Sequence, residues 1–168
     1  EGGSAYCDIY DGGAREPHVC AAHISMGEVF QEQTAWTWAR LLTLYSPSIA
    51  RIAVLGVFEF FLAWYDFVLG VRKGGRLWAE LKFVPVRTLV SIGLREWVTA
   101  SAEADLARGL PIVHVNYMGY DEQAHRRGPS SAFAHWTLKG IDGAIRRLWQ
   151  TAERSPMRDY RVIVYSDH

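Results

Sequence analysis

The stretch from Pro111 to His168 limits what this chain can fold into more tightly than any other, because it reads strand, loop, helix, strand. Ile112 to Tyr117 is rich in Ile, Val and Tyr, as a largely buried strand should be. The following run, Met118 to Pro129, cannot all be regular helix, since Gly119, Gly128 and Pro129 punctuate it. Ser130 or Ser131 can cap the next helix, which is expected to reach about Glu153 and to turn Phe133, Leu138, Ile141, Ile145 and Leu148 toward a core. Ser155-Pro156 ends it, and Tyr160 to Tyr165 is predicted to form the second strand. A crossover of this length implies a right-handed βαβ unit and a parallel sheet.

Each predicted strand runs into a pair of metal-ligating residue types, Asp121 and His125 after the first, Asp167 and His168 after the second. In a parallel sheet both strand ends open on one edge, where open α/β folds place their sites, so the four residues are expected to converge. Carboxylate oxygens and neutral imidazole nitrogens suit Zn²⁺ or Mn²⁺. Two such ions about 4 Å apart clamp the attacking and leaving oxygens of phosphoryl transfer. Taken singly, each residue has an ordinary reading as a turn former, cap or packed side chain; the placement at successive strand ends raises the metal reading. His114, inside the first strand, reads as packed, and Glu122 as a supporting or solvated neighbour of a ligand.

Composition narrows the partners. The formal net charge is +0, with 18 basic and 18 acidic residues, so the basic excess of a phosphate-backbone binder is missing and no nucleic-acid binding is expected. The 168 residues, 49% hydrophobic, suffice for one globular core. Cys7 and Cys20 are too few for a disulfide scaffold and allow one disulfide or two thiols. The Gly-rich run Glu1 to Ala14 reads as a surface loop around a short strand at Tyr6 to Tyr10. It lacks the Lys and Ser/Thr of a phosphate-cradling P-loop. His18 and His23, five apart, read as loop residues.

The middle of the chain reads as helical. Met26 to about Leu44 forms one segment, ended by Ser46-Pro47-Ser48. From Ile52 to Val71 a second helix is apolar nearly all round, except for one stripe of Gly56, Glu59, Ala63, Asp66, Gly70 and Lys73 at alternating spacings of three and four. Spanning a bilayer is allowed by length, yet Glu59 and Asp66 would each cost about 3 kcal/mol at mid-membrane. Burial against protein and docking in a membrane interface are the competing readings. Trp64, Tyr65, Phe58 and Phe61 read as packing residues. The basic turn Arg72 to Arg76 reads as solvated, or as facing an anionic lipid surface. Leu77 to Val84 and Val86 to Leu106 are predicted helical, broken at Pro85.

The run Asn116-Tyr117-Met118-Gly119-Tyr120-Asp121-Glu122-Gln123-Ala124-His125-Arg126-Arg127-Gly128-Pro129, followed after a helix by Tyr165-Ser166-Asp167-His168, resembles the type I phosphodiesterase / nucleotide pyrophosphatase branch of the alkaline phosphatase superfamily. Within that branch it is similar to bacterial membrane proteins that join a phage-holin-like membrane segment to a phosphodiesterase domain. Gly2-Gly3-Ser4 through Asp11-Gly12-Gly13-Ala14 resembles, more loosely, a Gly-rich segment of the same proteins; Asp8 and Asp11 are assigned no part in the site.

The resemblance implies an α/β fold: part of a parallel-sheet, alkaline-phosphatase-like core carrying a large helical insertion. Residues 1–25 would be a Gly-rich piece of the core, 26–108 the insertion, and 111–168 the βαβ metal-ligand segment. It implies two divalent metal ions, Zn or Mn, one held by Asp121 and His125, the other by Asp167 and His168. It further implies a phosphate-ester substrate, hydrolysed through a Thr or Ser nucleophile expected upstream of Glu1, and membrane association of the full-length parent through residues 48–76 or other parts. Because the chain begins without Met and stops on a ligand-like residue, it is expected to be a piece of a longer protein, inactive alone. A non-catalytic membrane- or partner-binding relative, and a sulfatase or phosphoglycerate-mutase-like enzyme, are the alternatives.

Overall fold

The computed structural model describes residues 2–8, 13–18 and 46–166. The expected helix at Met26 to Leu44 lies outside them, as do Asp11, Cys20, His23, Asp167 and His168.

Three short strands, β1 (Ser4–Tyr6), β2 (Glu16–His18) and β3 (Val113–Val115), form a parallel sheet in the order β2-β1-β3. Ser4 pairs with Glu16 on one side and Val113 on the other. The Gly-rich beginning is therefore no surface loop: β1 is the central strand, fully buried, and it starts at Ser4 rather than Tyr6. Small and aromatic residues suit that place, because a central strand of a parallel sheet has no solvent face.

Helix α1 (Ser46–Arg72) and α2 (Leu77–Thr88) form a hairpin across the basic turn. Pro85 does not break α2, contrary to the sequence expectation. The irregularity falls a few residues later, where Leu89–Leu94 widens to a π-helical turn before α3 (Arg95–Arg108) continues. The hydrogen bond that Pro85 cannot donate would run one turn back, to residue 81, and the helix tolerates its loss without ending. One turn on, Thr88 donates its hydroxyl to the Val84 carbonyl at 3.1 Å. Gly109, left-handed at φ 80, ends α3 and turns the chain into β3.

Two further helices follow β3, α4 (Tyr120–Arg127) and α5 (Ala132–Glu153). Ser131 caps α5 by accepting a hydrogen bond from the Ala134 amide at 3.2 Å. Helix α3 sits between the sheet and α5. Tyr6, Cys7, Val98 and Ala102 make the buried centre, with Leu94, Val113, Val115, Tyr117 and Leu148 packed round it. Tyr6 also donates its hydroxyl to Asp105 at 2.6 Å, and Arg147 of α5 grips Glu96 at 2.6 Å and Glu103 at 2.7 Å on α3. These contacts fix α3 against both layers.

The predicted strand at Tyr160 to Tyr165 is not formed as a ladder. Side chains hold this segment instead: the Tyr160 hydroxyl donates to the Leu110 carbonyl at 2.7 Å, and the Tyr165 ring stacks on His114 with centroids 6.0 Å apart. Ile163, Val164 and Tyr165 are exposed, so no covering face repays the entropy of ordering a fourth strand. The two tethers advance in step, Leu110 to His114 as Tyr160 to Tyr165, so the segment runs parallel to β3.

Candidate metal centre

Gly119 and Gly128, at φ 109 and 93, bound α4 rather than interrupt it. Positive φ is what glycine adopts without a steric penalty, so the glycines that keep the run from being helix throughout delimit an eight-residue helix inside it. The charges inside suit it: Asp121 and Glu122 lie in the first turn, His125, Arg126 and Arg127 in the last, each facing the helix end of opposite polarity.

This helix brings Asp121 and His125 together at i, i+4. His125 Nε2 stands 2.9 Å from Asp121 Oδ1, and the two side chains are 80% and 54% exposed. Gln123, between them in sequence, is 1% exposed, so α4 has an inner face through Gln123 and an outer one carrying the pair. The pair follows the carboxyl end of β3, at the sheet edge where such folds bind ligands. A carboxylate and an imidazole this close can bind one ion together, filling half of a four-coordinate sphere. Among the described residues there is no group of three or more His, Cys, Asp or Glu that could hold a metal. Asp167 and His168 fall outside the described residues.

The same edge carries a constellation that sequence reading missed. Asp8, two residues beyond β1, stands 3.0 Å through Oδ2 from His114 Nδ1, while His114 Nε2 meets the Tyr165 hydroxyl. His114, packed on the Tyr165 ring, also carries polar contacts: it links the end of β1 to Tyr165. Parallel pairing of β1 with β3 makes the juxtaposition, and only the register, Ala5 opposite His114, would have revealed it. Just before Asp8, Cys7 takes a left-handed conformation at φ 56, uncommon for a residue with a side chain. Tyr117, at the exit of β3, has its phenol pKa pushed up to about 12 by burial. Since the Thr99 hydroxyl donates to the Arg95 carbonyl at 2.7 Å, the Tyr117 hydroxyl is the donor in its 2.9 Å contact with Thr99.

The inner face of α4 is held by charge. Arg127 Nε donates to Asp66 Oδ1 at 2.7 Å and its Nη2 to Glu80 Oε2 at 2.9 Å; Arg126 also meets Glu80. Burial acts to lower the Arg127 pKa, but the hydrogen bond and charge of Asp66, with the charge of Glu80, outweigh it and raise the value. The polar stripe of α1 therefore faces protein: Asp66 meets α4, and Glu59 accepts the Trp136 indole N–H of α5 at 2.8 Å. Phe58, Phe61, Trp64 and Tyr65, expected to pack, are largely exposed, although the Tyr65 ring meets Phe133 of α5 with centroids 6.3 Å apart.

A family model described as Type I phosphodiesterase / nucleotide pyrophosphatase matches residues 30–168. No curated protein and no solved structure matches the chain.

Proposed function

Because the chain belongs to the type I phosphodiesterase / nucleotide pyrophosphatase family, we propose that it forms part of a metal-dependent hydrolase of phosphodiester or nucleotide pyrophosphate bonds. Membership supports a phosphoester hydrolase in general, and the parallel sheet with its helices is the α/β core, in part, of an alkaline-phosphatase-like fold. The observation that carries the site is the juxtaposition of Asp121 and His125 on the outer face of α4, at the carboxyl end of β3. Asp121 and His125 would hold one divalent ion; Asp167 and His168 would hold the second. Zn²⁺ or Mn²⁺ so bound supplies Lewis acidity and neutralises charge at a transferring phosphoryl group.

The chain's own residues build the frame for this. Helix α4 holds the Asp121 carboxylate and the His125 imidazole 2.9 Å apart on one face. His114, between Asp8 and Tyr165, ties the end of β1 and residue 165 to β3. The test is hydrolysis of bis(p-nitrophenyl) phosphate by the intact protein before and after chelation. Loss on chelation with recovery on adding Zn²⁺ or Mn²⁺ is expected; a chelator-indifferent rate would refute the metal reading. Binding of lipid or a partner without any hydrolysis would favour the non-catalytic alternative.

A membrane-interface role for α1 belongs to the same proposal. Ile49–Arg72 is long and apolar enough to cross a bilayer, with mean hydropathy 1.9 and 17% of that window buried. With Glu59 and Asp66 turned toward α5 and α4, the outward surface is apolar and aromatic, and the charge penalty weighed from sequence does not arise on that side. The exposed Leu77 and Trp78 and the basic residues Arg72, Lys73 and Arg76 continue it. The contacts to α4 and α5 favour lying in an interface over spanning. Co-sedimentation with anionic vesicles, weakened by Phe58→Ser with Phe61→Ser, is expected; equal sedimentation of both proteins would reject it.

A further inference from the structure

Helix α4 is eight residues long, too short to hold its own shape in water, so something must fix both its helicity and its rotation. At 3.6 residues per turn, Arg127 lies about 160° round the axis from His125 and about 120° from Asp121, while Gln123 is only about 40° away. Gripping Arg127 therefore turns the ligand pair outward. The grip is made by the α1–α2 hairpin: Asp66 through its carboxylate at 2.7 Å and its carbonyl at 3.2 Å, Glu80 at 2.9 Å. Asp66 and Glu80 are 2% and 8% exposed, so this is an enclosed seat rather than a surface ion pair. Gly70 makes room for it, because a Cβ there would lie 2.4 Å from both Arg127 Nη2 and Glu80 Oε2.

We propose that Arg127, seated on Asp66 and Glu80, is the positioning residue of the Asp121–His125 metal pair, making the helical hairpin a structural part of the metal site. This rests on the metal reading above. Neither Asp66 nor Glu80 touches the ion; they set where α4 presents its ligands. A planar fork suits the task, since two fixed donors define an orientation that a single ammonium would leave free to rotate.

The test titrates Zn²⁺ and, separately, Mn²⁺ into the metal-stripped intact protein, comparing wild type with Arg127→Met, Asp66→Asn, Arg127→Lys, Trp136→Phe and Asp121→Ala. Trp136→Phe breaks the polar contact of α1 with α5 and reports general loosening of the helical hairpin. Arg127→Met is expected to weaken one ion by on the order of 10-fold or more, as loss of a group orienting a ligand does, with Arg127→Lys intermediate and Trp136→Phe within about 2-fold of wild type. Should Arg127→Met fail to fold by circular dichroism, the near-isosteric Asp66→Asn carries the comparison. If Arg127→Met and Asp66→Asn bind like wild type while Asp121→Ala loses an ion, positioning is wrong and the metal reading survives. If Asp121→Ala also binds like wild type, the metal reading falls first. Equal losses in Arg127→Met and Trp136→Phe would likewise overturn the proposal, reducing the contact to ordinary stability.

Discussion

Removing the Asp66 carboxylate tests how the α1–α2 hairpin is held to α4. In the wild type, Arg126, Arg127, Asp66 and Glu80 form a neutral cluster in which Asp66 is 2% exposed by side chain and Arg127 16%. Asp66→Ala deletes the 2.7 Å hydrogen bond to Arg127 Nε and leaves one carboxylate, Glu80, between two guanidinium groups. Breaking a buried pair from one side costs roughly 3–5 kcal/mol, because a charge is stranded. Glu80 and the carbonyl of residue 66 still serve Arg127, so the lower end, about 3 kcal/mol, is expected. At about 2–4 °C per kcal/mol for a chain of this size, that is a fall in Tm of about 6–12 °C. The double variant Asp66→Ala with Arg127→Met removes both charges and should cost less than the two single changes added, by about 2 kcal/mol. Urea unfolding followed by far-UV circular dichroism measures all four corners. A single variant within about 0.5 kcal/mol of wild type, or costs that simply add, would refute the argument.

Other outcomes follow from the same packing. Gly56→Ala, whose Cβ meets nothing within 4 Å, should stabilise α1 by up to about 1 kcal/mol, whereas Gly70→Ala should lose that gain and about 1–3 kcal/mol more to crowding of the ion cluster. Equal Tm changes in the two would contradict the placement of Arg127 and Glu80. Because burial raises the Tyr117 pKa to about 12 from an ordinary 10.0, the folded state holds a proton that the unfolded state gives up first. Its contribution is whole below about pH 10 and lost as pH rises through about 12, worth roughly 2–3 kcal/mol at most. Tyr117→Phe should therefore flatten the alkaline limb of stability against pH, and an unchanged limb would argue against a buried phenol there.

What the sequence disclosed was periodicity and punctuation; what it withheld was partnership across distance. The stripe of Glu59, Ala63, Asp66 and Gly70 is visible from spacing, but its partners, Trp136 and Arg127, lie 77 and 61 residues from the acids they meet. No local pattern encodes such a pairing. The aromatic residues opposite were read as packing for the same reason: amphipathicity shows two faces and does not say which is covered. At β1, three residues of unremarkable composition become the central strand through register alone. The run 160–165 shows the converse, strand-like composition without a ladder, because β propensity expresses itself only where a face is buried. Asp121 and His125 were found as a pair at a strand end, but their meeting on one helix face depends on Gly119 and Gly128 acting as boundaries.

The most direct test of the central claim is the metal content of the purified intact protein, measured by inductively coupled plasma mass spectrometry for wild type, Asp121→Ala and His125→Ala. Two divalent ions per wild-type chain are expected, with the loss of one in each variant and secondary structure retained. Metal content unchanged in both variants would contradict it.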